Sequence, residues 1–223
     1  TTGRHWRPSA RWALGVVPIS GLLCLLAVAE FTWEVFADDD VVVLDSQIAD
    51  MVLDIRSEPL TTVMRTITVL ADTETILLVT TACLGAALAQ RRRRQALGVA
   101  VAVFGTTLVV VPLKEVLGRE RPPTPHNLTD LVANAYPSGH AAYGVATWGA
   151  ALWLLTAGAS TRMRRAAALL ATCLAFAIGL SRVYLGVHWG SDVVAGWAVG
   201  GLCLSAGILI GSPRSSTAPD TGP

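Results

Sequence analysis

Six stretches of this chain, roughly 13–36, 73–90, 96–117, 138–157, 166–185 and 191–211, stay largely apolar over the length of a bilayer crossing. A hydrocarbon layer about 30 Å thick and a helical rise of about 1.5 Å per residue set that length at about 20 residues. No water reaches backbone N–H and C=O groups inside the layer, so each segment must satisfy its own hydrogen bonds. The runs lack strand-like alternation, and helices are therefore predicted. With 52% hydrophobic and only 15% charged residues, the chain is too charge-poor for an ordinary soluble domain. The expected fold is all-α: a polytopic membrane protein of six transmembrane helices, one membrane-embedded domain over 1–211, with 212–223 as a disordered cytoplasmic tail.

Charge placement predicts orientation. Arg4, Arg7 and Arg11 precede the first run, Arg91 to Arg94 separate the second from the third, Arg162, Arg164 and Arg165 separate the fourth from the fifth, and Arg214 follows the sixth. These alternate segments hold eleven of the seventeen basic residues. By the positive-inside tendency both termini are cytoplasmic. The first run has no obvious small-residue cleavage site and reads as a retained anchor. Sixteen arginines against the single Lys114 suggest a GC-rich, bacterial genome. A net charge of +1 gives no argument for nucleic acid as a partner.

Between the first two runs, DDDVVVLDSQIADMVLDIRSEPL is rich in carboxylates. Its apolar positions Val43, Ile48, Val52 and Ile55 recur near helical spacing, which predicts one or two amphipathic helices over 41–71 at the outer surface. A shallow seventh span is the alternative. Cys24, Cys83, Cys173 and Cys203 fall inside hydrophobic runs without metal-ligand spacing and read as small buried apolar residues.

Three polar clusters interrupt the apolar pattern. KEVLGRERPP, after the third run, places Lys114 and Arg121 seven residues apart. YPSGH opens the fourth: Ser138 suits a helix cap, and Gly139 allows close approach to amides that favour an anion. In SRVYLGVHWGSD, His188 and Asp192 stand four apart, so on a helix the carboxylate can hold one imidazole nitrogen and leave the other free. Arg182 adds a planar donor suited to phosphate oxygens. The predicted topology brings all three clusters to the extracytoplasmic side, although none of them was needed to assign orientation.

Together these residues resemble the type 2 phosphatidic acid phosphatase superfamily, whose signatures stand here as K-EVLGRE-RP, PSGH and SR-VYLGV-H-WGS-D. The motifs span 114–192, and the hydrophobic layout extends the resemblance over most of the chain. It implies a membrane lipid phosphate phosphatase: metal-independent hydrolysis of phosphatidic acid, phosphatidylglycerol phosphate or a polyprenyl diphosphate through a phosphohistidine. His188 would be the nucleophile, Asp192 its orienting carboxylate, and His140 the acid and then base. Lys114, Arg121, Ser138, the Gly139 amide and Arg182 would bind the phosphoryl oxygens. No cofactor or metal site is expected, and the partners are the lipid substrate and bilayer lipids. Two other readings are a noncatalytic lipid-phosphate binding or transport protein on the same scaffold and a vanadium-dependent haloperoxidase. His126 reads as a solvated loop histidine, Arg119, Glu115 and Glu120 as surface charge or modest tuning, and Tyr184 and Trp189 as packing or interface residues.

Overall fold

The computed structural model describes residues 10–37, 40–123, 125–128 and 133–212. In chain order the helices are α1 (Ala10–Ala37), α2 (Asp40–Asp54), α3 (Glu58–Thr68), a 3-10 turn (Val69–Ala71), α4 (Thr73–Ala89), α5 (Arg93–Leu117), α6 (Gly139–Tyr143), a π turn (Gly144–Trp148), α7 (Gly149–Leu155), α8 (Thr161–Tyr184) and α9 (Gly190–Gly211). No strand occurs among the described residues. The expected tail and the first arginines, Arg4 and Arg7, lie outside them.

Among the described residues, four helices are long and apolar enough to cross a membrane: Gly15–Ala37 of α1, then α5, α8 and α9. The chain is thus a multi-pass membrane protein. The other two expected runs form shorter helices. α4 has 17 residues and joins α3 through a 42° bend at Asp72; the segments passing the test together are Glu58–Ala71 and Thr73–Ala89. The fourth run is interrupted by the π turn between α6 and α7. Large apolar side chains such as Leu22, Leu78, Leu108 and Leu169 are exposed around the bundle, as lipid contact requires.

The central helix is α9, packed against α1, α5 and α6. Lipid tails are as apolar as leucine, so such helices associate through close packing at small residues. A Cβ added to Gly196 would come within 2.5 Å of the Ser138 carbonyl, and at Gly98 within 2.5 Å of the Gly207 carbonyl. These glycines let α9 approach the start of α6 at one end and α5 at the other.

The segment 41–71 folds largely as the two helices α2 and α3, which pack against the ends of α8 and α9. Its buried stripe differs from the expected one. Val43 and Ile55 are exposed, whereas Val41, Asp45, Ile48 and Val52 turn inward. Apolar periodicity misassigned the face because the inward position nearest the bundle is a carboxylate. Among the cysteines, Cys203 is buried, Cys24 and Cys83 are half-buried, and Cys173 is exposed, so uniform burial of the four does not hold.

Candidate active site

Two left-handed glycines and two helix starts place the motif side chains. Gly118, at φ 59°, ends α5 directly after the turn bearing Lys114, and its N–H donates to the Lys114 carbonyl at 3.1 Å. Gly186, at φ 68°, ends α8: its N–H donates to the Val183 carbonyl at 2.9 Å, and Val187 N–H to the Arg182 carbonyl at 3.1 Å. That paired pattern is a Schellman closure, and it turns the chain so that His188 follows at once.

Asp192 occupies the third position of α9, where its Oδ2 accepts the Trp189 N–H at 2.8 Å. The bond caps the helix and fixes the carboxylate beside His188. Ser138 caps α6, its Oγ accepting from Ala141 N–H at 3.5 Å, while its own N–H donates to the Asp192 carbonyl at 2.9 Å. The starts of α6 and α9 are therefore bonded to each other. Backbone donors left over at helix starts supply this connection.

His188 and Asp192 are buried, with His188 Nδ1 3.5 Å from Asp192 Oδ2. The geometry at that distance is an electrostatic contact short of a hydrogen bond, and Nδ1 has no other partner. On the opposite edge of the ring, Nε2 lies 3.5 Å from Arg121 Nη1. Burial pushes the His188 pKa well below its ordinary 6.5, and the charges of Arg121, Lys114, Arg182 and His140 add in the same direction. Both effects favour the uncharged ring. It is aimed by a carboxylate and surrounded by cations.

Those cations also stitch the motif segments together. Lys114 Nζ donates to the carbonyls of Asn134 at 2.6 Å and Ala135 at 3.2 Å, just before YPSGH. Arg121 donates through Nη1 to the Val187 carbonyl at 2.6 Å and through Nε to Ala133. Arg182 is buried, donates to Thr68 Oγ1 at 2.6 Å, and leaves its Nε without a partner. His140 Nε2 lies 3.0 Å from Asp72 Oδ1. Gly139 is the first residue of α6.

All eight residues expected at the site thus cluster about the ends of α5, α6, α8 and α9. Five further residues join the cluster through contacts that motif spacing did not disclose. Asp72 and Thr68, at the α3–α4 bend, hold His140 and Arg182. Arg119 is no surface charge: it is largely buried and bonds Asp45 and Asp192, while Asp45 also bonds Ser191. A carboxylate on the inward stripe of α2 was the one available signal for Asp45; Asp72 stands directly before α4, with no motif to mark it. His126 pairs with Asp50 at 2.9 Å and is largely sheltered, and Tyr184 is buried with its hydroxyl beside Thr61 at 3.2 Å. Trp189 donates from its indole to the Glu120 carbonyl at 2.9 Å. Among the described residues, no group of three His, Cys, Asp or Glu side chains is arranged to hold a metal.

The PAP2 superfamily model matches residues 95–214. A decaprenylphosphoryl-5-phosphoribose phosphatase of Mycobacterium tuberculosis is 34% identical over 123 residues, covering 53% of this chain and 63% of that protein. An uncharacterized 22.5 kDa protein in the cps region of Klebsiella pneumoniae is 41% identical over 63 residues, 28% of this chain and 30% of that one. The chain therefore spans less than two thirds of these curated relatives. In fold it is similar to a transmembrane PAP2-type phosphatidylglycerolphosphate phosphatase from Bacillus subtilis, with TM-score 0.73 and 24% identity over 85% of this chain and 92% of that one. It is also similar to Aquifex aeolicus LpxE, with TM-score 0.59 and 21% identity over 74% of this chain and 94% of that one.

Proposed function

The chain belongs to the PAP2 superfamily, and from that premise we propose that it is a membrane lipid phosphate phosphatase working through a phosphohistidine without a metal. The observation that carries the reading is the buried His188 between Asp192 and Arg121. Nε2 of His188 attacks phosphorus, and the bond from phosphorus to the leaving oxygen breaks as His140 protonates that oxygen. Water then attacks the phosphoryl group, His140 takes its proton, the P–N bond breaks, and inorganic phosphate leaves. Lys114, Arg121 and Arg182, with Ser138 and the Gly139 amide, stabilise charge that spreads over the phosphoryl oxygens. Asp72 fixes the His140 ring through its contact with Nε2. Asp72→Asn is expected to lower kcat by about 10- to 100-fold with the fold intact, as loss of an outer-shell carboxylate does elsewhere; steady-state kinetics on purified protein checks it.

For topology, we infer six spans in one domain over 1–211: α1, α4 continuing from α3, α5, the α6–α7 unit, α8 and α9. Both termini are cytoplasmic in this arrangement and the site is extracytoplasmic. The motif residues sit where α5 and α8 end and where α6 and α9 begin, which agrees with one shared membrane face. A site at that depth suits substrates whose tails stay in lipid while the phosphate enters the cationic cluster. Phosphatidic acid, phosphatidylglycerol phosphate and polyprenyl phosphates or diphosphates fit that description; the Mycobacterium relative's name adds a polyprenyl-linked sugar phosphate.

Phosphate release by purified protein from such a panel, in matched detergent, tests the reading and ranks the substrates. Turnover is expected to be unchanged in excess chelator. Activity that disappears with chelator and returns with magnesium would refute the metal-free mechanism.

A further inference from the structure

Asp192 has a second, largely buried neighbour besides His188. Arg119 Nη1 donates to Asp192 Oδ1 at 2.6 Å, and Nη2 of the same guanidinium donates to Asp45 Oδ2 at 2.8 Å. Side-chain exposure is 11% for Arg119, 3% for Asp45 and 0% for Asp192. Asp45 also accepts from Ser191 N–H at 2.9 Å and from Ser191 Oγ at 2.5 Å. The Arg119 guanidinium lies 5.7 Å from the Trp189 ring centre, which adds a contact on one face of the fork.

We propose that Asp45 and Arg119 form a positioning pair that sets the Asp192 carboxylate and, through it, the tautomer and aim of His188. The proposal rests on the phosphatase reading above for its kinetic consequence, but its geometry does not. Arg119 takes Oδ1 and the Trp189 amide takes Oδ2, so the carboxylate cannot rotate, and Oδ2 stays on the Nδ1 edge of His188. A proton held on Nδ1 leaves the lone pair on Nε2, the edge that faces Arg121. Arg119 and Arg121 are two residues apart yet serve opposite edges of one ring. Arg121 stands on the reacting side, whereas Arg119 reaches the chemistry only through Asp192.

Asp45 gives the pair its rigidity. An arginine bonded to Asp192 alone could swing with it; one fixed at its other nitrogen to α2 cannot. Ser191, adjacent to Asp192, is bound to the same Asp45 carboxylate through both its amide and its hydroxyl. Asp45 lies before the family-matched segment, so the outer helix α2 becomes a working part of the site.

The test uses the full chain in detergent, with Asp45→Asn, Arg119→Lys, Arg119→Gln and the Asp45→Asn/Arg119→Gln double variant. Histidine-selective 15N spectra report the His188 tautomer alongside kcat and KM. Expected are a kcat about 10- to 100-fold lower for Asp45→Asn and Arg119→Gln with KM within about twofold, and partial recovery in Arg119→Lys. The double variant should be no worse than Arg119→Gln alone, because the residues act as one unit. His188 should carry its proton on Nδ1 in the wild type and lose that preference in both single variants. Unchanged kcat, a raised KM with kcat preserved, multiplicative losses, or an unaltered tautomer would each overturn the pair. If Arg119→Gln does not fold, Asp45→Asn and Arg119→Lys decide by the same criteria. A wild type that releases no phosphate removes the phosphatase reading instead, and the tautomer then decides the proposal alone.

Discussion

His188→Ala is expected to reduce phosphate release by roughly 10⁴-fold or more, because the proposed mechanism forms its covalent intermediate on this residue and offers no substitute for it. Rapid-quench experiments with labelled substrate should trap phosphoprotein in the wild type and none in the variant. Asp192→Asn should slow the burst without abolishing it. The fold should survive His188→Ala, since the imidazole makes no hydrogen bond that closes a helix end and its Nδ1 already lacks a hydrogen-bond partner. A folded variant with near-normal turnover would remove His188 as the nucleophile.

The same substitution has a pH signature. His188 has a folded-state pKa below the ordinary 6.5, so below about 6.5 the unfolded chain takes up a proton that the native state refuses. Its contribution to stability is thus complete above about 6.5 and is lost as pH falls toward the depressed native value. His188→Ala should remove that part of the acid-side decline in thermal stability. Matched melting curves across this range compare the two proteins directly.

Gly186→Val is expected to be the most damaging substitution outside the motifs' polar residues. A side chain at φ 68° costs about 1–2 kcal/mol by backbone sterics alone. Here the added Cβ would also overlap the His126 carbonyl. That carbonyl cannot easily retreat: the Arg56 guanidinium binds it together with the carbonyls of Pro125 at 3.0 Å and Tyr184 at 3.0 Å. The clash would undo the closure of α8 and shift His188, two residues on. Activity should fall by at least about 100-fold, as a 1 Å misplacement can cost, with a marked drop in melting temperature. Gly118→Val is the matched control, having φ 59° but open space around its Cβ; it should show the backbone cost only. Equal effects at the two glycines would mean that the His126 contact carries no weight.

The helical class and all eight motif positions were legible in the sequence because both depend on local order: apolar run length for the helices, fixed short spacings for the motifs. Partners drawn from distant elements were not. Nothing near Arg119 in the chain distinguishes it from Arg65 or any other outward cation; its burial comes from Asp45, 74 positions away. Asp72 reads locally as the residue before α4, and only the bend there turns its carboxylate to His140. The inward face of α2 was misread for a related reason. Asp45 breaks the apolar stripe it belongs to, since its burial is offset by an ion pair that pattern alone cannot show.

The π turn at Gly144–Trp148 has a consequence for how this protein can change over time. An α-helix turns about 100° per residue, so a rigid rod would lock every side chain along its length to one angular setting. Here Ala142, before the wide turn, packs with Val110, Val199 and Cys203, whereas Ala150 and Leu154, after it, pack with Ala87, Val99 and Ala102. The wide turn lets the two halves obey different neighbours. Substitutions that retune the packing of α7 can therefore leave the setting of His140 on α6 unchanged.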